Sequence, residues 1–64
     1  MENRIKEYRK SCGLTQEELA EAVDVTRQTV ISLESGKYIA SLQLAFRLAK
    51  FFGVSIEELF IDGE

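Results

Sequence analysis

The chain has 64 residues and can form only one domain, which we expect to span residues 1–64; its 45% hydrophobic and 30% charged content is typical of globular proteins. It contains no histidine, one cysteine (Cys12) and no glycine-rich phosphate loop. We therefore expect no disulfide, metal site, cofactor, small-molecule ligand or enzymatic activity. The formal net charge of −3 also excludes a uniformly basic nucleic-acid-binding surface.

The first ten residues, MENRIKEYRK, are strongly charged and lack the apolar segment of a signal peptide. No apolar run approaches the roughly 20 residues that a membrane-spanning helix needs. Together with the single cysteine, these features lead us to expect a protein of the reducing cytoplasm with no membrane partner.

Glycines and capping residues divide the chain, which contains no proline, into predicted helices. The glycines expected just after a helix are Gly13, Gly36 and Gly53. The residues expected to cap a helix start are Thr15, Thr26, Ser41 and Ser55, and the first and last of these fit capping boxes. The helices are predicted at about 2–12, 16–23, 27–35, 42–52 and 56–60. Only LFID at 59–62 resembles a strand, so the predicted class is all-α.

The second and fourth predicted helices differ in how their apolar residues are arranged. The second, QEELAEAV, has one apolar stripe and an acidic stripe that faces away from it. The fourth, LQLAFRLAKFF, is apolar nearly all round, so we expect it to be the central helix of a small bundle. The expected core consists of Ile5, Leu14, Leu19, Val23, Val30, Leu33, Leu44, Leu48, Phe51, Ile56 and Leu59.

The third predicted helix carries polar side chains at its start. A turn of about 100° per residue places one group of side chains together on its outer face. These are Arg27, Gln28, Ile31, Ser32 and Ser35. Val30 and Leu33 fall on the opposite side and are sufficient to anchor the helix to a core. The outer face is therefore free to contact a partner.

A link of only three residues, DVT, joins the second and third helices, which is typical of a helix-turn-helix. Such a turn needs a left-handed residue, and Asp24 tolerates that conformation better than most side chains. It also needs a small residue where the helix backbones approach each other, and Ala20 is in that position.

The residue types at the start of the third helix match the chemistry of DNA base edges. The major groove admits one helix, and the N-terminal residues of that helix meet the bases. Arginine can donate two hydrogen bonds to guanine, and glutamine can bond adenine in the same bidentate way. An apolar side chain such as Ile31 can pack on a thymine methyl group. Gln16, first in the second helix, lies where a helix N-terminus can receive a phosphate.

The segment GLTQEELAEAVDVTRQTVISLESGKY at 13–38 resembles the Cro/phage-repressor, or Xre-like, family of helix-turn-helix proteins. The motifs T-Q-x-x-L-A, V-T-R-Q-T-V, L-E-x-G-K and G-V-S-x-x-x-L-F occur in register, and the similarity extends from NRIKEYR to GVSIEELF. The resemblance implies a compact, five-helix, lambda-repressor-like domain. It also implies sequence-specific binding to double-stranded DNA, as a homodimer on a two-fold operator, to regulate transcription.

The resemblance also assigns roles to individual residues. The residues matched to base contacts are Arg27, Gln28 and Ser32, to which we add Ile31. The residues matched to the DNA backbone or to neighbouring methyl groups are Thr15, Gln16, Thr26, Thr29, Lys37 and Tyr38. Arg9 matches an arginine that forms a structural ion pair with the glutamate at Glu34. After Tyr38 the loop reads IAS, where the family often has Asn-Pro-Ser.

The dimer contact is expected near the C-terminus. Phe60 and Ile61 are apolar, and we expect nothing else in the chain to cover them, so LFID could pair with its copy. The third helix of each copy would then enter one of two half-sites about 34 Å apart.

Two alternatives remain open at this point. The chain could be a protein-interaction module, such as an antitoxin or antirepressor that keeps the fold, because its positive charge is low. Ile31 could read a thymine methyl group, contact a protein, or be an exposed residue without a role, since single exposed apolar side chains are common.

Overall fold

A computed structural model describes residues 2–37 and 40–61. Within these ranges the chain forms five helices in the predicted order. They are α1 (Ile5–Ser11), α2 (Gln16–Ala22), α3 (Arg27–Glu34), α4 (Leu42–Phe52) and α5 (Ile56–Leu59). These five helices confirm the predicted all-α fold class. None of them has the length and apolar character needed to span a bilayer.

The helix boundaries follow from local signals that the sequence displays. All four expected caps accept a hydrogen bond from a backbone N–H in the first turn, and both expected capping boxes are complete. The three glycines after α1, α3 and α4 adopt left-handed backbones, with φ of 72°, 80° and 71°. Asp24 is left-handed as well, with φ of 62°, as the helix-turn-helix turn requires.

α1 starts at Ile5, three residues later than predicted. The Asn3 Oδ1 atom accepts a hydrogen bond from the Ile5 N–H at 3.0 Å, which holds the preceding backbone out of the helix. The segment before α1 instead pairs with the chain after α5: the Arg4 N–H donates to the Leu59 carbonyl, and the Ile61 N–H donates to the Glu2 carbonyl.

This pairing corrects the prediction that nothing covers Phe60 and Ile61. Asn3 and Phe60 form an antiparallel bridge, so the strand-like end of the chain pairs within its own molecule. Both apolar side chains are half-buried, and Phe60 packs against the core. The prediction that these two residues form the dimer contact assumed that they are uncovered, and that assumption is wrong.

The core lies between the helices and includes most of the expected residues. Ile5, Leu19, Val30, Leu33, Leu48 and Leu59 are completely buried. Phe51 was wrongly placed in the core: it is 43% exposed, because Phe52 occupies the inner side of α4 and lies 5.6 Å from the Tyr8 ring. Leu14 and Ile56 are only half-buried. The buried alanines of α4, Ala45 and Ala49, take part in the core instead.

Candidate DNA interface

The turn between α2 and α3 fixes the position of α3. The Val25 N–H donates to the Ala20 carbonyl at 2.9 Å, which closes the end of α2. Ala20 and Val23 are buried where α2 and α3 pack together. The left-handed Asp24 reverses the chain and leaves its own side chain exposed. A small residue and a left-handed residue thus serve the purposes that the sequence suggested for them.

α3 is held to the bundle by a narrow apolar stripe. Val30 and Leu33 have no exposed surface. The Thr26 hydroxyl caps the helix by accepting the Thr29 N–H at 3.2 Å. Burial on one side and a fixed start leave the opposite side of α3 available for a partner.

A buried polar cluster braces the C-terminal end of α3 against α1 and α2. The Arg9 Nε donates to Glu34 Oε2 at 2.5 Å, and the Gln16 Nε2 donates to Glu34 Oε1 at 3.1 Å. Arg9 also donates through Nη1 to the Leu14 carbonyl at 2.8 Å. The side chains of Arg9 and Glu34 are 10% and 5% exposed. The ion pair implied by the family resemblance is therefore present between α1 and α3, and Gln16 adds α2 to the cluster.

The sequence did not reveal a further support for α3. The Asn3 Nδ2 donates to the Leu33 carbonyl at 2.7 Å, so the segment before α1 also holds the end of α3. These two residues are 30 positions apart. No local pattern identifies a lone asparagine as the partner of a carbonyl that distant.

The structure brings the four expected base-contact residues onto one face of α3. Arg27 and Gln28, in the first turn, are exposed, whereas Ile31 and Ser32 are half-buried. The Ser32 carbonyl accepts a hydrogen bond from the Ser35 hydroxyl at 2.9 Å. The most accessible donors on this face are therefore the arginine and the glutamine at its start.

Several residues expected at the DNA backbone already have partners inside the protein. The Thr15 hydroxyl accepts the Glu18 N–H at 3.0 Å as part of its capping box. The Thr26 and Thr29 hydroxyls are 2.9 Å apart and bond each other. Gln16 uses one of its two amide hydrogens on Glu34, so the second can point to a phosphate.

The loop after α3 is only partly described. Lys37 is exposed, and its N–H donates to the Ser32 carbonyl at 3.2 Å, which fixes the lysine next to the end of α3. Tyr38, the other residue expected to contact a phosphate there, lies outside the described residues.

The acidic residues of α2 and of the turn after it are directed away from the buried side of α2. Glu17, Glu21 and Asp24 are exposed, whereas Leu19 and Ala20 are buried. The first turn of α3 contains no acidic residue. The negative total charge therefore does not rule out a local surface that suits DNA.

Comparisons with known proteins agree with this geometry. A family model described as "Helix-turn-helix" matches residues 5–59. The chain is 57% identical over 61 residues to MJ0272, an uncharacterized HTH-type transcriptional regulator of Methanocaldococcus jannaschii, covering 95% of this chain and 92% of that protein. The chain is 58% identical over 65 residues to a second such regulator, from Methanothermobacter thermautotrophicus. That alignment covers 100% of this chain and 94% of the relative.

The fold is similar to that of the restriction-modification controller protein C.AhdI from Aeromonas hydrophila. The TM-score is 0.80 at 35% sequence identity, over 89% of this chain and 86% of that one. The family match, the two relatives and the shared fold all cover the α2–α3 unit and the helices around it. The chain therefore belongs to the Xre-like, Cro/phage-repressor type of the helix-turn-helix family, which consists of DNA-binding transcription regulators.

Proposed function

We propose that this protein is a sequence-specific transcriptional repressor that binds a two-fold operator as a homodimer. One observation carries the proposal: Arg27 and Gln28 are exposed together at the start of α3, whose other end is braced by the buried Glu34. A rigid helix with bidentate donors at its N-terminal end suits the major groove. Bound at a promoter, the dimer would exclude RNA polymerase, and its site of action would be the cytoplasm.

Base recognition would come mainly from the first turn of α3. Arg27 would bond the O6 and N7 atoms of a guanine, and Gln28 the N6 and N7 atoms of an adenine. Ser32, one turn further on, would add a hydroxyl contact, and Ile31 would pack on a thymine methyl group. Each bidentate contact would contribute about 1–3 kcal/mol of discrimination between bases.

Contacts to the DNA backbone would come mainly from uncharged groups. The proposed set is Thr15, Gln16, Thr26, Thr29, Lys37 and Tyr38. Only Lys37 in this set carries a charge, and Arg27 lies nearby on α3. Because Arg27 is assigned to a guanine, a dimer would neutralise about two phosphates, one through Lys37 of each copy, which corresponds to a slope of about −2 for log K against log salt.

Selection from a random pool of double-stranded oligonucleotides, at one stated salt concentration, tests this function. We expect enrichment of a two-fold sequence whose half-sites are centred about 34 Å apart. Gln28→Ala should change the selected sequence, whereas Gln43→Ala, an exposed glutamine on α4, should not. Absence of any DNA binding at low salt would contradict the proposal.

That negative result would support the alternative, a protein-interaction module that keeps the fold. One observation favours this reading: α4 exposes Leu42 and Phe46, which DNA would not cover well. Neither function includes a catalytic step.

A further inference from the structure

The Asn3 side chain joins the start of α1 to the end of α3. Its Oδ1 atom accepts a hydrogen bond from the Ile5 N–H at 3.0 Å, and its Nδ2 atom donates one to the Leu33 carbonyl at 2.7 Å. The first bond is an Asx turn just before α1, and the second satisfies a carbonyl in the last turn of α3, where carbonyls have no partner within the helix. One amide group therefore holds the ends of two helices.

The backbone on both sides of Asn3 is fixed by residues at the end of α5 and after it. The Arg4 N–H donates to the Leu59 carbonyl at 2.8 Å, and the Ile61 N–H donates to the Glu2 carbonyl at 2.9 Å. Leu59 has no exposed surface, so this pairing is anchored to the core. The Asn3 amide therefore extends from a fixed piece of backbone, and its position can determine that of α3.

Glu34 and Asn3 restrain α3 in different ways. The ion pair with Arg9 holds α3 through the Glu34 side chain, whose rotatable bonds leave the helix some freedom. Asn3 bonds the Leu33 carbonyl, which belongs to the helix backbone itself. Backbone carbonyls point along a helix axis toward its C-terminal end, so a donor at this position restrains the direction of the axis. The narrow buried stripe of Val30 and Leu33 leaves that direction less well fixed.

We propose that Asn3 is a positioning residue for DNA reading, because it fixes the angle at which α3 presents Arg27 and Gln28 to the bases. The reading of bases rests on the proposed function, whereas the restraint on α3 is a property of the free protein. Asn3 itself touches no base in this arrangement and acts only through α3.

A small change in the direction of α3 is enough to disturb base contacts. Packing angles between helices scatter by about 15°, so a tilt of about 10° is within reach of an α3 that has lost the bond from Asn3. About 9 Å of helix axis separates Leu33 from Arg27, so such a tilt moves the first turn by more than about 1 Å. Hydrogen-bond lengths vary by only about 0.5 Å. The contacts of the first turn would therefore be lost or strained.

Loss of this restraint should weaken specific DNA binding more than non-specific binding. A bidentate contact to a base needs correct distances and angles for two hydrogen bonds at once. A lysine such as Lys37 contacts a phosphate as a point charge on a flexible stem and tolerates a small displacement. The ratio of specific to non-specific affinity therefore reports the position of α3, whereas a fall in the amount of folded protein lowers both affinities alike.

Asn3→Ser tests the bond to Leu33 without a change in charge. The serine hydroxyl can still accept the Ile5 N–H, but it is too short to reach the Leu33 carbonyl. We expect affinity for the selected operator to fall about tenfold, with affinity for an unrelated duplex of the same length within about twofold of the parent value. Fluorescence anisotropy measures both, at one salt concentration and at a temperature where circular dichroism shows every variant to be folded.

Val54→Ala is the matched control for a loss of stability elsewhere in the molecule. Val54 is half-buried against the core and belongs neither to α3 nor to the paired residues 2–4 and 59–61. Removal of two methyl groups should lower the melting temperature, as Asn3→Ser does, because apolar contacts are lost. The ratio of specific to non-specific affinity should stay that of the parent chain.

Residual dipolar couplings of the backbone N–H groups measure the angle between α3 and α4 without DNA. α4 serves as the reference because it buries four of its residues. In Asn3→Ser the α3 axis should turn by about 10° relative to α4, or its couplings should shrink as the axis samples that range. In Val54→Ala the angle should match that of the parent chain.

An α3 angle in Asn3→Ser equal to that of the parent would overturn the role of Asn3, as would an equal fall in specific and non-specific affinity. Both results differ from failure of the proposed function. A parent chain that binds no oligonucleotide at low salt refutes DNA reading, and a changed angle in Asn3→Ser then still supports the restraint on α3. A parent chain that selects an operator, with an Asn3→Ser variant that keeps the parent angle and specificity, refutes the role of Asn3 and leaves DNA reading standing.

Discussion

α3 and α4 each bury one stripe of side chains and expose another, but their exposed faces differ in chemistry. The outer face of α3 begins with Arg27 and Gln28, whereas the exposed side of α4 begins with Leu42 and Phe46. Polar donors suit base edges and phosphates, and apolar side chains suit a protein surface. The exposed faces of the two helices therefore suit different kinds of partner, nucleic acid for α3 and protein for α4.

The two helices are also held in place by different forces. α4 has 11 residues and buries four of them, Leu44, Ala45, Leu48 and Ala49, so apolar packing alone can position it. α3 has eight residues and buries only Val30 and Leu33. Its orientation depends in addition on the polar brace at Glu34, since a narrow apolar stripe allows a helix to roll.

Removal of the Arg9–Glu34 ion pair should have the largest effect. It would test whether α3 depends on this pair for its orientation as α4 does not. Arg9→Leu leaves Glu34 buried with only Gln16 as a donor, so we expect a loss of about 3–5 kcal/mol in the free energy of unfolding. Urea denaturation measures the loss.

The matched variant for this experiment removes both charges. Arg9→Leu combined with Glu34→Leu leaves no unpaired buried charge and should recover most of the stability, while DNA affinity stays lowered because α3 is less firmly oriented. If Arg9→Leu alone costs less than about 1 kcal/mol, the ion pair behaves as an exposed one and does not brace α3.

The next largest effect concerns the outer face of α3. Gln28→Ala should cost about 1–3 kcal/mol of operator affinity and relax the preference at one base position in each half-site. Gln43→Ala on α4 is the matched control and should leave both the affinity and the base preference unchanged. If Gln28→Ala keeps the parent base preference, Gln28 does not contact a base.

A smaller effect is expected for the loop after α3. Lys37→Ala should weaken binding to every DNA sequence alike and flatten the salt slope by about one unit for each bound copy, because a phosphate contact carries no base information. Lys50→Ala, at the end of α4, should leave the slope unchanged. A loss confined to particular sequences would show that Lys37 reads bases.

The smallest effect concerns the turn between α2 and α3. Asp24→Gly should leave the free energy of unfolding unchanged or raise it by up to about 1 kcal/mol, because glycine adopts a φ of 62° without strain. Gly53→Ala is the converse control: the added Cβ would meet no atom within 4 Å, so its expected cost of about 1 kcal/mol is backbone strain alone. A fall in melting temperature for Asp24→Gly would show that its side chain stabilises the turn.

The helix boundaries could be predicted because their signals are local. A cap, a capping box or a left-handed glycine depends on residues within one turn, and all the expected caps are present. The start of α1 was predicted three residues too early: the Asn3 side chain that accepts the Ile5 N–H is a local signal that the prediction missed, whereas the pairing with residues after α5 is not local.

Burial was harder to predict where a helix is apolar on several sides. Phe51 and Phe52 are chemically identical neighbours, and the way α4 packs on the rest of the core, including Tyr8 of α1, determines which ring lies inside. The four expected base-contact residues do share a face, because helical period alone fixes that. Whether each contacts a base depends on DNA and stays a prediction.

The pairing of residues 2–4 with residues 59–61 has a consequence for covalent topology. The Ile61 N–H donates to the Glu2 carbonyl at 2.9 Å, so in a variant trimmed to residues 2–61 a few added residues could join these two positions without moving a helix. By analogy with a disulfide that closes a loop of this length, a cyclic backbone would destabilise the unfolded chain by about 4 kcal/mol. The outer face of α3 lies elsewhere in the chain and would stay uncovered.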